Sequence, residues 1–530
     1  MLQMSQVNVH WWKTFVKCWL STIVFLLLHY NYVSDERNLY SLEESNRISQ
    51  NVEQFKEYWC RIRRARVDLD SILKPCFYNI SWNGPSPERA LQTDAGKSAI
   101  SFFDIRPAGQ FSRFSIQTKT RNGKLKHIGG DSWRVLLRGP ATVSPTTFDH
   151  GNGTYEFLFL VMDPGAYKLD ITLDYSLCDG FRDPPKNWFI VGNSQGKMQK
   201  DGTLGANRTK DDYLLQSFQN GKLIMINIPL PDDRGAFLMN QLPDRPCLSA
   251  KFNLSCGMDC KFTWDGFGRW LGKNWKPYLT EVPGHTKPMK LGITAPKLEK
   301  LWIYGDSQAE RLHLSIKDGP LCTEIFKSCN LSKMWVYPYS GKFPKWDDQD
   351  FDKSIILDSL RVVLERPDMS ENSVLILNLG LHYMGSIRLQ DYRILLLKVI
   401  DLLNERNKGT GELKHKARVV WKTSTSISKE KGTGSQLTSD RGRFLALPRV
   451  ALYNSLATSL MCQAGLEVLD VYPFTRSFPE GTGGPEVARH KECDSVHFKF
   501  HVMKPIEHFL EEYFLGKIAS PINFVNYMFS

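Results

Sequence analysis

The 530-residue chain has no basic block with aromatics set between its Lys and Arg residues, although its net charge is +12. Its 68 basic and 56 acidic residues are interspersed instead. That pattern excludes nucleic acid as an expected partner and leaves at most a mild preference for acidic substrates or surfaces. Zinc-finger spacing is also missing. Cys256 and Cys260 form a Cys-x3-Cys pair, but no second Cys or His pair follows it, so no metal is expected. The phosphate-loop motif is incomplete, because "AGKS" at 95–98 has Leu91 where the loop needs its first glycine. The charged stretch 35–75 holds no long heptad array, so a coiled coil stays open there only as an alternative to a plain stem.

What is present begins at the N-terminus. An apolar stretch runs from Cys18 to Tyr32 and, counted from Trp11, reaches the ~20 residues of a membrane span. Lys13 and Lys17 precede it, while Asp35 and Glu36 follow it. Positive residues stay cytoplasmic, so the remainder is expected to be lumenal, as in a single-pass type II membrane protein. A cleaved signal peptide, and hence a secreted protein, is the alternative. No small-x-small site follows Leu28, which favours an uncleaved signal anchor.

Of eleven cysteines, Cys18 falls in the apolar stretch. The other ten, an even number, suit disulfides in an oxidising lumen. Five Asn-x-Ser/Thr sequons, at Asn79, Asn152, Asn207, Asn253 and Asn330, agree with a secretory glycoprotein.

The texture divides the chain into five parts. Residues 1–34 are read as cytoplasmic tail and signal anchor, and the charged residues 35–94 as a stem. Over 95–190, short alternating runs such as "FSRFSIQTKT" and "TYEFLFLVM" are separated by Gly, Asn-Gly and Pro-Gly turns, which predicts an immunoglobulin-like β-sandwich. Residues 191–245 read as a linker. From 246 to 530, apolar strands at 300–304, 373–380, 417–424 and 466–472 alternate with helical stretches at 358–366 and 391–406. This α/β alternation predicts a parallel sheet flanked by helices, with its site beyond the C-terminal strand ends. "PIEHFLEEYFL" (505–515) reads as a closing amphipathic helix with Pro505 near its start.

"LWIYGDSQAERL" (301–312) takes a strand through a tight glycine turn into a helix, with Ser307 at the junction. Unpaired N–H groups at a helix start can hold an oxyanion. The bland reading makes Asp306 or Ser307 an N-cap. A nucleophilic serine needs a base, and the base an orienting carboxylate. "ECDSVHFKF" supplies both, as Asp494 and His497, three residues apart. Between these blocks, "LNLGLHY" places Asn378, Gly380 and His382 at the end of another strand. Asn378 and Gly380 are candidate oxyanion donors, or merely residues that bend the chain. His382 is a substrate contact or a core histidine. Arg311, one turn after Ser307, either anchors an acidic substrate or pairs structurally.

Gly-Asp-Ser, Asn-x-Gly and Asp-x-x-His, in this order, resemble the blocks of the SGNH (GDSL-like) hydrolase superfamily. "GDSQAERL", "DGFGRWLGKNWKP" (265–277) and "LGLHY" resemble its PC-esterase branch. The run from Gly129-Gly130-Asp131 to the Pro-Gly-x-Tyr turn at 164–167 resembles a filamin-type repeat. A filamin-like domain joined to a PC-esterase domain behind an anchor resembles the NXPE (neurexophilin and PC-esterase domain) family. The resemblance implies a catalytic triad of Ser307, His497 and Asp494, and a Golgi or other secretory-pathway membrane. The implied activity is O-acetylation of glycans through an acyl-serine. No cofactor would be bound; acetyl-CoA would be an acyl donor, and a glycan, such as one carrying sialic acid on a glycoprotein, the acceptor. With water as acceptor the same machinery is an esterase. A non-catalytic glycan-binding or adhesion protein is the further alternative. The superfamily's separate oxyanion glycine has Gly341 as its candidate.

Overall fold

The computed structural model describes residues 53–82, 88–185, 212–231, 260–278, 297–338, 351–432, 442–483 and 494–515, with Trp19, Trp188, Cys256 and Met258 as single positions. Residues 58–530 form one compact unit and residues 1–57 another. Among the described residues no helix is long and apolar enough to cross a membrane. The expected anchor, apart from Trp19, lies outside them, as do Asn207, Asn253, Gly341, Cys247 and Cys493.

The sandwich starts with the expected alternating runs. Strand β2 (Phe111–Gln117) buries Phe114 and Ile116 on one face, and β6 (Thr154–Leu160) pairs with it antiparallel. With β1 (Ala99–Asp104) and β5 (Thr146–Asp149) they make a four-stranded sheet in the order β1-β2-β6-β5. The facing sheet is built on β3 (Ser132–Arg138), β4 (Thr142–Val143) and β7 (Gly165–Tyr175). Phe114, Trp133, Leu137, Tyr155, Phe157 and Tyr167 fill the space between the sheets.

That second sheet draws on chain beyond residue 190. Strands β8 (Gln216–Ser217) and β9 (Met225–Ile228), from the segment read as a linker, both pair with β7. The hairpin β11 (Gly268–Leu271) and β12 (Asn274–Pro277), from the segment read as catalytic, joins β4 through Trp270 and Thr142. An edge strand of two residues leaves backbone groups unpaired, and the hairpin covers that edge.

The expected parallel sheet has six strands in the order β10-β17-β16-β15-β13-β14, every neighbouring pair parallel. They are β10 (Lys261–Trp264), β13 (Leu298–Gly305), β14 (Phe326–Lys333), β15 (Val374–Leu377), β16 (Arg418–Lys422) and β17 (Glu467–Leu469). Successive residues point to opposite faces. On one face Trp302, Tyr304, Leu375, Leu377 and Trp421 meet helices Lys353–Leu364, Leu389–Leu403 and Leu447–Gln463. On the other, Leu301, Ile303, Val374, Ile376 and Val420 meet helices Ser307–Ile316 and Phe500–Phe514. The last helix begins five residues before Pro505, which lies inside it rather than at its start.

Part of the segment read as a stem is built into this body. Arg61 makes a bidentate pair with Glu156 of the sandwich, at 2.8 and 2.7 Å. Arg66 donates to the Asp265 carbonyl and to Asp470 of the sheet domain. Disulfides Cys60–Cys256 and Cys76–Cys178 secure the same stretch. Cys260–Cys462 and Cys322–Cys329 are the other two bonds among the described residues. Cys256 and Cys260 thus take different partners, and the described residues hold no cluster suited to a metal.

Candidate active site

Strand β13 ends at Gly305, where there is no room for a side chain. A Cβ there would sit 2.8 Å from the Ala309 Cβ and 3.0 Å from the Asn378 carbonyl oxygen. Asp306 follows as the N-cap of the helix Ser307–Ile316, its Oδ1 accepting the Gln308 N–H at 2.9 Å. Its Oδ2 accepts the Leu381 N–H at 3.0 Å, which ties the turn after β13 to the first residue of the helix that follows β15. The capping role therefore falls to Asp306 and leaves the Ser307 hydroxyl for other work.

That hydroxyl meets a base. Ser307 Oγ lies 2.7 Å from His497 Nε2, and His497 Nδ1 lies 2.7 Å from Asp494 Oδ2. Both separations suit proton transfer and orientation of an imidazole. Asp494 also folds its own turn, because Oδ1 accepts the N–H groups of Val496 and His497 at 2.8 and 2.9 Å. Burial disfavours the ionised Asp494 carboxyl. The His497 hydrogen bond, its charge and the two backbone donors outweigh that and hold the carboxyl down to about 2. It is therefore ionised at neutral pH and fixes Nδ1 as the protonated nitrogen, leaving Nε2 to accept from serine.

The loop is held from outside as well. The Asp494 carbonyl accepts Thr482 Oγ1 at 2.7 Å, the Ser495 carbonyl accepts Ser428 N–H at 2.9 Å, and the His497 carbonyl accepts Gly483 N–H at 2.9 Å. Gln308 Nε2 donates to the Val496 carbonyl. Sequence reasoning missed all four of these supports; only Gln308, next to Ser307, stands beside a recognisable motif.

The remaining expected residues are placed as follows. Asn378 is buried at the end of β15, one amide hydrogen given to the Lys422 carbonyl at 2.8 Å and the other directed at Ser424 Oγ across a long 3.4 Å. Gly380 caps the helix Leu381–Ser386, and a Cβ there would fall 2.4 Å from Asn378 Oδ1 and 2.7 Å from Asp306 Oδ2. His382 lies in that helix with its ring 5.7 Å from that of Trp335. Arg311 is buried with its guanidinium 4.7 Å over the Phe500 ring, a packing contact at the start of the last helix. Beneath the strand ends Lys422 is fully buried, donating to the Thr423 carbonyl at 3.2 Å. Burial pushes its ammonium down to about 8, partly opposed by the Asp306 charge.

Among the sequons, Asn152 occupies an exposed turn, its side chain accepting the Thr154 N–H. Asn79 is half-buried. Asn330 is set within β14 with a buried side-chain oxygen, and the serine of its sequon, Ser332, accepts from Trp302 Nε1 at 3.0 Å.

No family model matches the chain. Among solved structures, the Lin-41 filamin domain is similar over 15% of this chain and 80% of its own, at 19% identity and a TM-score of 0.14. Domains 4 and 5 of the S-layer protein SbsC match over 14% of this chain and 43% of theirs, at 22% identity and a TM-score of 0.12. A carbohydrate acetylesterase family member from Sinorhizobium meliloti matches over 41% of this chain and 99% of its own, at 14% identity and a TM-score of 0.25.

Proposed function

We propose that the chain is a serine-dependent acyl-transferring enzyme that O-acetylates glycans in the secretory pathway. The observation that carries this reading is the unbroken hydrogen-bonded series Ser307–His497–Asp494 at the C-terminal end of a parallel strand. His497 Nε2 takes the Ser307 proton as Oγ attacks the carbonyl carbon of an acyl donor. The tetrahedral oxyanion is met by the N–H of Ser307 at the helix start, with the Gly380 N–H as a further donor; the expected Asn378 amide is instead committed to the Lys422 carbonyl and Ser424 Oγ. The imidazolium, stabilised by Asp494, returns the proton to the leaving group, and an acyl-serine remains. A sugar hydroxyl then gives its proton to His497 and attacks the acyl carbon, and Ser307 leaves with that proton. Water in place of the sugar makes the same cycle an esterase.

The glycan acceptor, an acetyl-CoA donor, the type II anchor and a Golgi location rest on the resemblance of the sequence blocks to NXPE proteins. Four disulfides accord with an oxidising compartment. The test is a serine-directed fluorophosphonate together with acetyl-CoA and glycan mixtures read by mass. Labelling at Ser307, lost in Ser307→Ala, with a gain of acetyl mass on a glycan, is the expected result. A folded Ser307→Ala protein with full activity overturns it.

A further inference from the structure

Strand β13 lies between β14 and β15. At its end, Met334 N–H donates to the Gly305 carbonyl at 2.7 Å on one side, and Asn378 N–H donates to the Tyr304 carbonyl at 2.9 Å on the other. Adjacent strands are about 4.8 Å apart, so the chains leaving β14 and β15 start roughly 10 Å apart, flanking the Ser307 junction. Their side chains nevertheless meet. Trp335, two residues past β14, and His382, two residues past Gly380, bring their ring centroids to 5.7 Å with planes tilted by 31°. The pair therefore spans the end of the strand from which Ser307 rises, and both residues are partly exposed.

The span is held in place. Trp335 N–H donates to the Tyr337 carbonyl at 3.1 Å within a tight turn closed by a Met334–Pro338 bridge. Tyr383 Oη donates to the Val336 carbonyl at 2.8 Å, joining that turn to the helix of His382. Leu381, the preceding residue, is tied to Asp306. An aromatic surface fixed this firmly beside a nucleophile suits a flat, rigid reactant. A pyranose ring has an apolar face of C–H groups and a rim of hydroxyls. Its face buries apolar area on an indole, while an imidazole at the edge can hydrogen-bond the rim.

We infer that Trp335 and His382 form the sugar subsite of this cleft, with a pyranose ring stacked on Trp335 and a hydroxyl at His382. The inference rests on the glycan reading above and gives that reading a residue-level substrate contact.

The experiment compares Trp335→Ala and Trp335→Phe with the wild type on a panel of O-acetylated methyl pyranosides and on ethyl acetate, which has no ring to occupy the subsite. Trp335→Ala should raise KM for the pyranosides by about tenfold, with ethyl acetate turnover within about twofold of wild type. Trp335→Phe should recover most of the loss. Equal losses on both esters, or an unchanged pyranoside KM, overturn the subsite. Saturation-transfer NMR of the same pyranosides with Ser307→Ala tests it without catalysis. Ring C–H signals should appear and should vanish in the Ser307→Ala, Trp335→Ala double variant; their absence from Ser307→Ala overturns the subsite. A wild type inert to fluorophosphonate would sink the enzyme reading alone, because the NMR result still decides the platform.

Discussion

The sandwich and the parallel-sheet region each bury a lysine, and they treat it in opposite ways. In the sandwich, Lys126 has no exposed side-chain surface and is met by Asp131 at 2.8 Å and Thr93 Oγ1 at 2.6 Å. Asp131 in turn accepts from Thr93 and Ser176, so the network closes on itself. In the sheet region, Lys422 is just as deeply buried but among the described residues has only a carbonyl at 3.2 Å, with Asp306 acting on it through space. A buried ion pair with complete hydrogen bonding fixes a core, whereas a buried cation without a direct carboxylate costs stability. The costly arrangement lies below the ends of the strands that carry Ser307 and Asn378.

The sharpest separation of the two regions comes from Ser307→Ala. Activity should fall by several orders of magnitude while the thermal midpoint stays near that of wild type, because a single helix-start hydroxyl contributes at most ~1 kcal/mol. His497→Ala should be about as damaging, and the double variant little worse than either, measured as initial rates.

In the sandwich the expectation reverses. Asp131→Ala leaves Lys126 charged and unpaired, which should cost about 3–5 kcal/mol in urea unfolding. Fluorophosphonate labelling per folded molecule should be unchanged. A drop in labelling rate in the folded fraction would show that the sandwich reaches into the site.

Asp494 should give an acid-side signature. Its folded carboxyl titrates at about 2 against an ordinary value of 3.8. The folded state holds the proton less tightly, so the stabilisation is complete above pH 4 and disappears as pH falls through 2. Because the carboxyl is partly exposed and screened by solvent, that stabilisation is worth on the order of 1 kcal/mol. The stability gap between wild type and Asp494→Ala should close over that window, followed by unfolding at a series of pH values.

Lys422 should give the smallest effect at neutral pH and the opposite slope. Its folded ammonium titrates at about 8 against 10.5. The unfolded chain binds that proton more tightly, so wild-type stability should rise between pH 8 and 10.5. Lys422→Met should lack this rise and be at least as stable as wild type at pH 7. A variant that keeps the rise would assign it to another group.

The grouping of Ser307, His497 and Asp494 was legible because each part is local: a strand, a glycine turn and a helix start around Ser307, and one turn carrying Asp494 and His497. The strands β13 and β15 were legible as continuous apolar runs for the same reason. The supports of the His497 loop were not, because Thr482, Ser428 and Gly483 reach it only through tertiary approach. The pairing of the β11–β12 hairpin with β4 was not legible, since alternation at 268–277 is identical whichever edge it covers. Asn330 matched a sequon, but the pattern carries no information on burial. Of the matches at Asn152 and Asn330, the first should carry glycan and the second should be bare in peptide mapping.

The two longest disulfides have a practical result for the protein's endurance. Cys60–Cys256 spans 196 residues and Cys260–Cys462 spans 202. A protease that cuts one loop within either span separates no fragment, because the pieces on both sides of the cut remain covalently joined. A clipped molecule would run as a single band without reductant and fall into two only after reduction. In a protease-rich surrounding, damage to the loops would therefore accumulate silently, with the serine and its histidine still attached to the same particle.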